Sequence, residues 1–140
     1  MAGYSKTPLP KKLGIKADAV VGFLNAPADF LATLGDLPNG VAVVEDLPSA
    51  TAFDVILFFT RDRADLARQF GRLAKKLKAA GSLWVAWPKK ASGVVTDLTE
   101  NVVREIGLEA GLVDIKVCAI DDTWSGLRFV IRLRDRPAKG

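Results

Sequence analysis

Two polar stretches carry most of the side chains able to do chemistry: WPKKASGVVTDLTE, from Trp87 to Glu100, and CAIDDTWSGLRF, from Cys118 to Phe129. The first supplies Lys89 and Lys90 as cations and Ser92 and Thr96 as hydroxyl donors. It also places the amides of Ser92 and Gly93 just ahead of a helix start, where an anion can be held. The second supplies Asp121 and Asp122 as bases or metal ligands, Ser125 as a donor, and Trp124 as a flat apolar surface in a polar turn. Lys89, Lys90, Ser92, Gly93, Asp121, Asp122, Trp124 and Ser125 therefore read as candidates for binding a small anionic or nucleotide-like ligand. The competing reading is mutual neutralisation, in which lysine–aspartate pairs latch the two loops and no ligand is involved.

Other chemistries are bounded by what the chain lacks. It contains no histidine, which excludes Ser-His-Asp and Cys-His nucleophiles and histidine metal clusters. The single cysteine, Cys118, lies between apolar residues of a strand-like run and reads as an inert, packed thiol. One cysteine allows no intramolecular disulfide, which suits a reducing, cytoplasmic setting.

Apolar patterning shows which elements position the two polar stretches. Ala17 to Leu24, Val41 to Val44, Phe53 to Phe59 and Ser82 to Trp87 read as buried strands. Pro27 and Gly35 bracket a short helix with Phe30, Leu31 and Leu34 on its apolar face. Leu66, Phe70, Leu73 and Leu77 recur at helical spacing and predict a helix from Arg61 to Ala80, stopped by Gly81. Leu98, Val102, Val103 and Ile106 predict another, with Asp97 and Glu100 as a capping box. Val113 to Ile120 and Leu127 to Leu133 flank the DDTWSG turn and read as a closing antiparallel hairpin. Alternating strands and helices ending in a hairpin indicate an α/β, mostly parallel sheet with one antiparallel strand.

The chain of 140 residues suits one domain. The expected division is a basic arm over residues 1–16, a domain over 17–134 and a tail over 135–140. Of the net charge of +4, all comes from Lys6, Lys11, Lys12 and Lys16. Within the remainder, Arg61 to Lys78 holds seven bases against two acids, while Asp97 to Asp122 holds seven acids against two bases. No aromatic residues interleave with the lysines as a stacking platform, which argues against nucleic acid as a partner. The apolar runs are too short to cross a bilayer.

LKAAGSLWVAW ahead of a helix, followed by GLVDIKVCAIDDTWSGLRFVIR as a closing hairpin, resembles the C-terminal half of the class I S-adenosylmethionine-dependent methyltransferase fold. More closely, GYSKTPLPKKLGIK, WPKK through TDLTE, KVCAID and TWSGLRFV resemble a family of short bacterial proteins known only as a domain of unknown function. The methyltransferase resemblance implies a shortened Rossmann-like sheet of six strands in the order 2-1-3-4-6-5, with helices on both faces. It also implies a cofactor site after the first strand, at Asn25, and an acid on the ribose hydroxyls, at Glu45. The matching turn, Asn25-Ala26-Pro27, has none of the glycines that let backbone approach the amino-acid part of that cofactor.

The leading expectation is therefore a ligand-binding module that does not transfer methyl groups. A methyltransferase using S-adenosylmethionine is the enzymatic alternative. A homo-oligomeric interaction protein is the third reading, because a missing helix would leave Leu47, Pro48 and Phe53 as an apolar patch suited to a homodimer.

Overall fold

The computed structural model describes residues 7–48 and 50–136. Its elements are α1 (Leu9–Lys12), β1 (Val20–Leu24), α2 (Phe30–Leu34), β2 (Ala42–Val44), β3 (Phe53–Phe59), α3 (Arg63–Ala74), β4 (Leu77–Pro88), α4 (Glu100–Glu109), β5 (Leu112–Ala119) and β6 (Trp124–Ile131). The strands form one sheet in the order β2-β1-β3-β4-β6-β5. The pairs β1–β2, β1–β3 and β3–β4 are parallel, while β6 runs antiparallel to both β4 and β5. This is the Rossmann-like order expected from the resemblance.

Alternation along the central strands divides the core into two layers. Ile56, Phe58, Leu83 and Val85 pack with Leu66, Phe70 and Leu73 of α3 and Val103 of α4. Val55, Leu57, Phe59 and Trp84 pack with Phe30 and Leu34 of α2 and with Leu13 and Ile15. Trp84 and Trp87 thus face opposite sides, and both are buried, as their opposite parity predicts. Each fully buried large apolar side chain contributes about 1.5–3 kcal/mol.

The second layer reaches back into residues 1–16, the expected basic arm. Pro10, Leu13 and Ile15 are buried, and the indole Nε1 of Trp84 donates to the Leu13 carbonyl at 2.9 Å. A buried indole N–H needs an acceptor, and the turn after α1 provides it. Pro10, Leu13 and Ile15 of the expected arm therefore pack against the sheet, while Lys11 and Lys16 stay exposed; residues 1–6 lie outside the described set, as do 137–140 of the expected tail.

Local boundaries differ from the sequence pattern: β1 starts at Val20 and α2 at Phe30, later than Ala17 and Pro27, and three further differences have identifiable causes. Helix α3 ends at Ala74, not near Ala80, and β4 already begins at Leu77. Leu77 keeps its buried position because it pairs with Phe53 ahead of an irregularity in the β3–β4 register. Gly81 serves that irregularity, since a Cβ there would sit 2.7 Å from the Phe53 carbonyl oxygen. At α4 the N-cap is Thr99, whose hydroxyl accepts from the Val102 amide, so the Asp97–Glu100 capping box does not form. Asp97 instead accepts the Arg63 amide at the start of α3, at 2.7 Å. In the hairpin, β6 starts at Trp124 because Asp121 Oδ1 accepts the amides of both Thr123 and Trp124 and tightens the turn.

The expected apolar patch is closed. Leu47 and Phe53 are 4% and 0% exposed, and among those three residues only Pro48 is exposed. The connection from Glu45 to Ala52 covers the sheet itself by folding Leu47 over Gly22, where a Cβ would collide with the Leu47 side chain. Asp46 and Leu47 accept positive φ values of 62° and 41° to make that fold-over. The stated reason for a homodimer at this face therefore falls away.

Candidate functional site

In open α/β sheets, ligands gather at the carboxyl ends of the strands where the strand order reverses. Here the chain runs from β1 outward to β2 and then back across to β3, so the reversal lies between β1 and β3. A cleft of about 450 Å³ opens at that point, within the roughly 300–1,000 Å³ range of small-molecule sites. Asn25 follows β1, Phe59 to Asp62 close β3, Asp65 and Arg68 come from the first turns of α3, Val94 follows β4, and Trp124 opens β6.

The polar groups of this central cleft are partly committed to one another. Asp62 caps α3 by accepting the amides of Ala64 and Asp65. Asp65 accepts from the Thr60 hydroxyl at 3.1 Å and pairs with Arg68 at 2.5 Å. The Arg61 carbonyl accepts from the Thr96 hydroxyl, which ties the loop after β4 to the loop after β3. The Arg61 side chain is exposed at the mouth and forms no ion pair with any described residue. Asn25 holds a left-handed φ of 60°, a conformation its short polar side chain tolerates.

A second cleft of about 320 Å³ lies on the other side of the β1 end. Pro27 and Ala28 from the turn, Leu31 from α2, and Val43 and Glu45 from β2 and its exit form its walls. Leu31, expected on the buried face of its helix, is 63% exposed because it forms part of this wall. Four aromatic rings connect the clefts. Phe23 meets Phe30 at 5.2 Å, Phe30 meets Phe59 at 4.9 Å and Phe59 meets Trp124 at 5.1 Å, each edge to face. Such contacts hold ring orientations firmly and give the carboxyl edge a rigid apolar floor.

The residues proposed from sequence are distributed unevenly over this edge. Trp124 and Asn25 line the central cleft and Glu45 the flanking one. Lys89, Lys90, Ser92, Gly93, Asp121, Asp122 and Ser125 line neither. The two polar loops are neighbours, as expected, with Pro88 paired to Trp124 and Trp87 to Ser125. Their latch is a backbone bond from the Lys89 amide to the Thr123 carbonyl at 2.7 Å. No ion pair joins Lys89 or Lys90 to Asp121 among the described residues.

The amides expected to cradle an anion are already used. A 3₁₀ turn over Lys90–Ser92 commits the Ser92 amide to the Lys89 carbonyl and the Gly93 amide to the Lys90 carbonyl. The Ser92 hydroxyl donates to Lys89 O at 2.6 Å and accepts from the Val94 amide. Thr60, Arg61, Asp62, Asp65 and Arg68 were missed because the pattern marked them only as a helix start. Placing the reversal of strand order between the first and third strands would have singled them out. Cys118 is half-buried, and burial pushes its thiol above the ordinary range against the opposing pull of Lys12 and Lys116, which fits an unreactive role.

Solved structures of known proteins share this architecture. The fibrillarin pre-rRNA processing protein of Methanococcus jannaschii aligns with a TM-score of 0.58 at 14% identity, over 92% of this chain and 70% of its own. A SAM-dependent methyltransferase from Aquifex aeolicus aligns with a TM-score of 0.58 at 15% identity, over 85% of each chain. The magnesium protoporphyrin IX methyltransferase of Synechocystis, in a structure with bound SAM, aligns with a TM-score of 0.54 at 11% identity, over 88% of this chain and 74% of its own. Identities this low carry the fold alone. No curated protein sequence matches. A model of one family covers residues 11–133, nearly the whole domain, and the chain belongs to that family, described as "Protein of unknown function (DUF3052)".

Proposed function

We propose that this protein is a binding module that holds a small nucleoside-bearing or anionic ligand at the carboxyl edge of the sheet and does not transfer methyl groups. The observation that carries the reading is the pair of clefts flanking the end of β1, with Glu45 on one side and Trp124 and Arg61 on the other. The nucleoside half of S-adenosylmethionine fits the flanking cleft. Glu45 supplies a carboxylate for paired ribose hydroxyls, and Pro27, Leu31 and Val43 supply apolar walls for a base. The amino-acid half fits poorly. Pro27 has no N–H to donate, and Ala26 carries a Cβ where the methyltransferase turn brings bare glycine backbone against the cofactor. A ligand with a nucleoside or a compact anion, and without the methionine moiety, matches what the two clefts offer.

The test is calorimetric titration of adenosine, S-adenosylhomocysteine and S-adenosylmethionine into the full chain, with tryptophan fluorescence as a second signal. The expected result is that all three bind within about tenfold of one another, a spread of about 1.4 kcal/mol. Glu45→Gln should weaken all three together. Absence of binding by every nucleoside at millimolar concentration would overturn the nucleoside reading. S-adenosylmethionine binding more than about a hundredfold tighter than adenosine would show that the methionine half is held. That outcome would favour the second reading, a methyltransferase, which is supported by the similarity to the SAM-bound Synechocystis enzyme.

A further inference from the structure

At the opposite, amino edge of the sheet a third cleft of about 380 Å³ is lined by three cations, Lys16, Lys78 and Arg128, and two carboxylates, Asp18 and Asp54. Arg128 lies in β6 directly across from Trp84 of β4 and reaches under the turn that precedes β1. Gly14 makes the room: with φ at +79°, its backbone faces the guanidinium so closely that a Cβ would lie 2.8 Å from Nη2. The Arg128 Nε is buried and has no hydrogen-bond partner among the described residues. No described carboxylate forms an ion pair with Arg128.

The other charges of the cleft do not supply the missing acceptor. Asp54 Oδ2 is committed to the Lys78 ammonium at 3.0 Å and to the Val20 amide at 2.8 Å. Asp18 turns its carboxylate toward Gly40, where a Cβ would collide with it. Lys16 and Arg128 thus face one remaining carboxylate, leaving a single positive charge in excess. A guanidinium keeps its proton at any ordinary pH, so the exposed part of this half-buried charge is open to water or to an acceptor bound in the cleft. Burial alone already pulls Arg128 below the usual arginine range.

We infer that this amino-edge cleft is a binding site for a small oxyanion, a carboxylate or phosphate group, received by the fork of Arg128 with Lys16 as the second cation. The planar fork matches either group with two parallel hydrogen bonds. The cleft is larger than a bare anion and leaves space for a small organic body attached to it. This site is separate from the carboxyl-edge clefts and does not depend on the function proposed for them.

The experiment uses the full chain in a low-salt buffer, with inorganic phosphate and acetate as probes and sodium chloride at matched ionic strength as reference. Binding is read by calorimetry and by the shift in Tm, because a ligand held only by the folded state raises Tm with its concentration. At least one probe is expected to raise Tm above the chloride reference; phosphate alone or acetate alone identifies the preferred group. Arg128→Gln should weaken that binding by about tenfold or more, as expected for losing a charged, bidentate contact, and Arg128→Lys should restore only part of it. Lys16→Gln should weaken it less, and Arg134→Gln, which alters an arginine 75% exposed in the turn after β6 and outside the cleft lining, should not change it. Should Arg128→Gln fail to fold, the wild-type titration and Lys16→Gln still decide. No effect of either probe beyond chloride, or an equal effect in Arg128→Gln, overturns the inference.

Discussion

Substituting Leu13 by alanine separates a packed N-terminal segment from a solvated arm. Leu13 is fully buried, and its carbonyl accepts the Trp84 indole N–H, so the side chain is held against the sheet from two directions. Emptying such a site costs about 2–5 kcal/mol, the lower end applying where neighbours collapse into the space. Leu13 sits in a short turn at the margin of its layer, where neighbours can partly close the space, so about 3 kcal/mol is the working figure. For 140 residues, an unfolding entropy of about 2.1 cal/mol/K per residue makes 1 kcal/mol worth about 3 °C, and the expected fall in Tm is about 10 °C. Trp84→Phe leaves the Leu13 carbonyl without its donor and should cost about 1–3 kcal/mol more than its lost area alone. Thermal and urea melts of wild type, Leu13→Ala, Trp84→Phe and the double variant provide the readout. The double variant should cost less than the sum of the two single costs, since each substitution loosens the same contact. A Tm for Leu13→Ala within roughly 2 °C of wild type would refute the reasoning and return residues 1–16 to the status of an arm.

Three further outcomes follow from positions where the geometry sets the sign. Gly71 on α3 has open space at its Cβ position, so Gly71→Ala should stabilise by about 0.5–1 kcal/mol in a urea melt through helix propensity alone. Gly107 on α4 is pressed against the Phe129 ring, so Gly107→Ala should destabilise by about 1–3 kcal/mol despite the same propensity gain. The half-buried Cys118 thiol, raised by burial, should be less ionised at neutral pH than a free thiol. Its alkylation rate by iodoacetamide should therefore stay below that of free cysteine through pH 8 and climb only at higher pH; a rate equal to free cysteine at neutral pH would contradict the burial argument.

Legibility followed the origin of each signal. The strands themselves are written locally as hydrophobic runs, whereas their order came from the resemblance to the methyltransferase fold and not from the runs. The helix ends were less legible because Leu77 satisfies two periods at once: it continues the helical spacing of Leu66, Phe70 and Leu73, yet the chain uses it to start β4. Leu13 and Ile15 were hidden by the lysines around them, since Lys11, Lys12 and Lys16 look like a solvated stretch unless the apolar residues between them are given a surface to cover. The Asp97 cap misled for a related reason. Its spacing to Glu100 fits a box on α4, but the Arg63 amide of α3, distant in sequence, is the donor it meets.

The candidate site shows the same division between local chemistry and placement. Residue types that could bind a ligand are frequent in both polar loops, and their proximity across β4 and β6 was correctly anticipated. Proximity does not bring Lys89, Lys90, Ser92, Asp121 or Ser125 into either carboxyl-edge cleft, because the loops commit hydrogen bonds across one latch, Lys89 to Thr123, and within themselves, Ser92 with Lys89 and Val94 and Asp121 with Thr123 and Trp124. Open space requires two connections to diverge, and in this sheet they diverge between β1 and β3, where one chain segment leaves toward β2 and the other toward α3. Trp124 belongs to both descriptions. It closes the latched hairpin at its start, and its ring reaches across the end of β4 to Phe59, so it joins the rigid loops to the wall of the cleft. Replacing it with alanine should therefore alter ligand binding in the central cleft while leaving the Lys89–Thr123 latch in place. Weakened binding together with unchanged hydrogen-exchange protection at the Lys89 amide would be the signature of that role, and loss of protection at Lys89 would instead make Trp124 a structural pin of the hairpin.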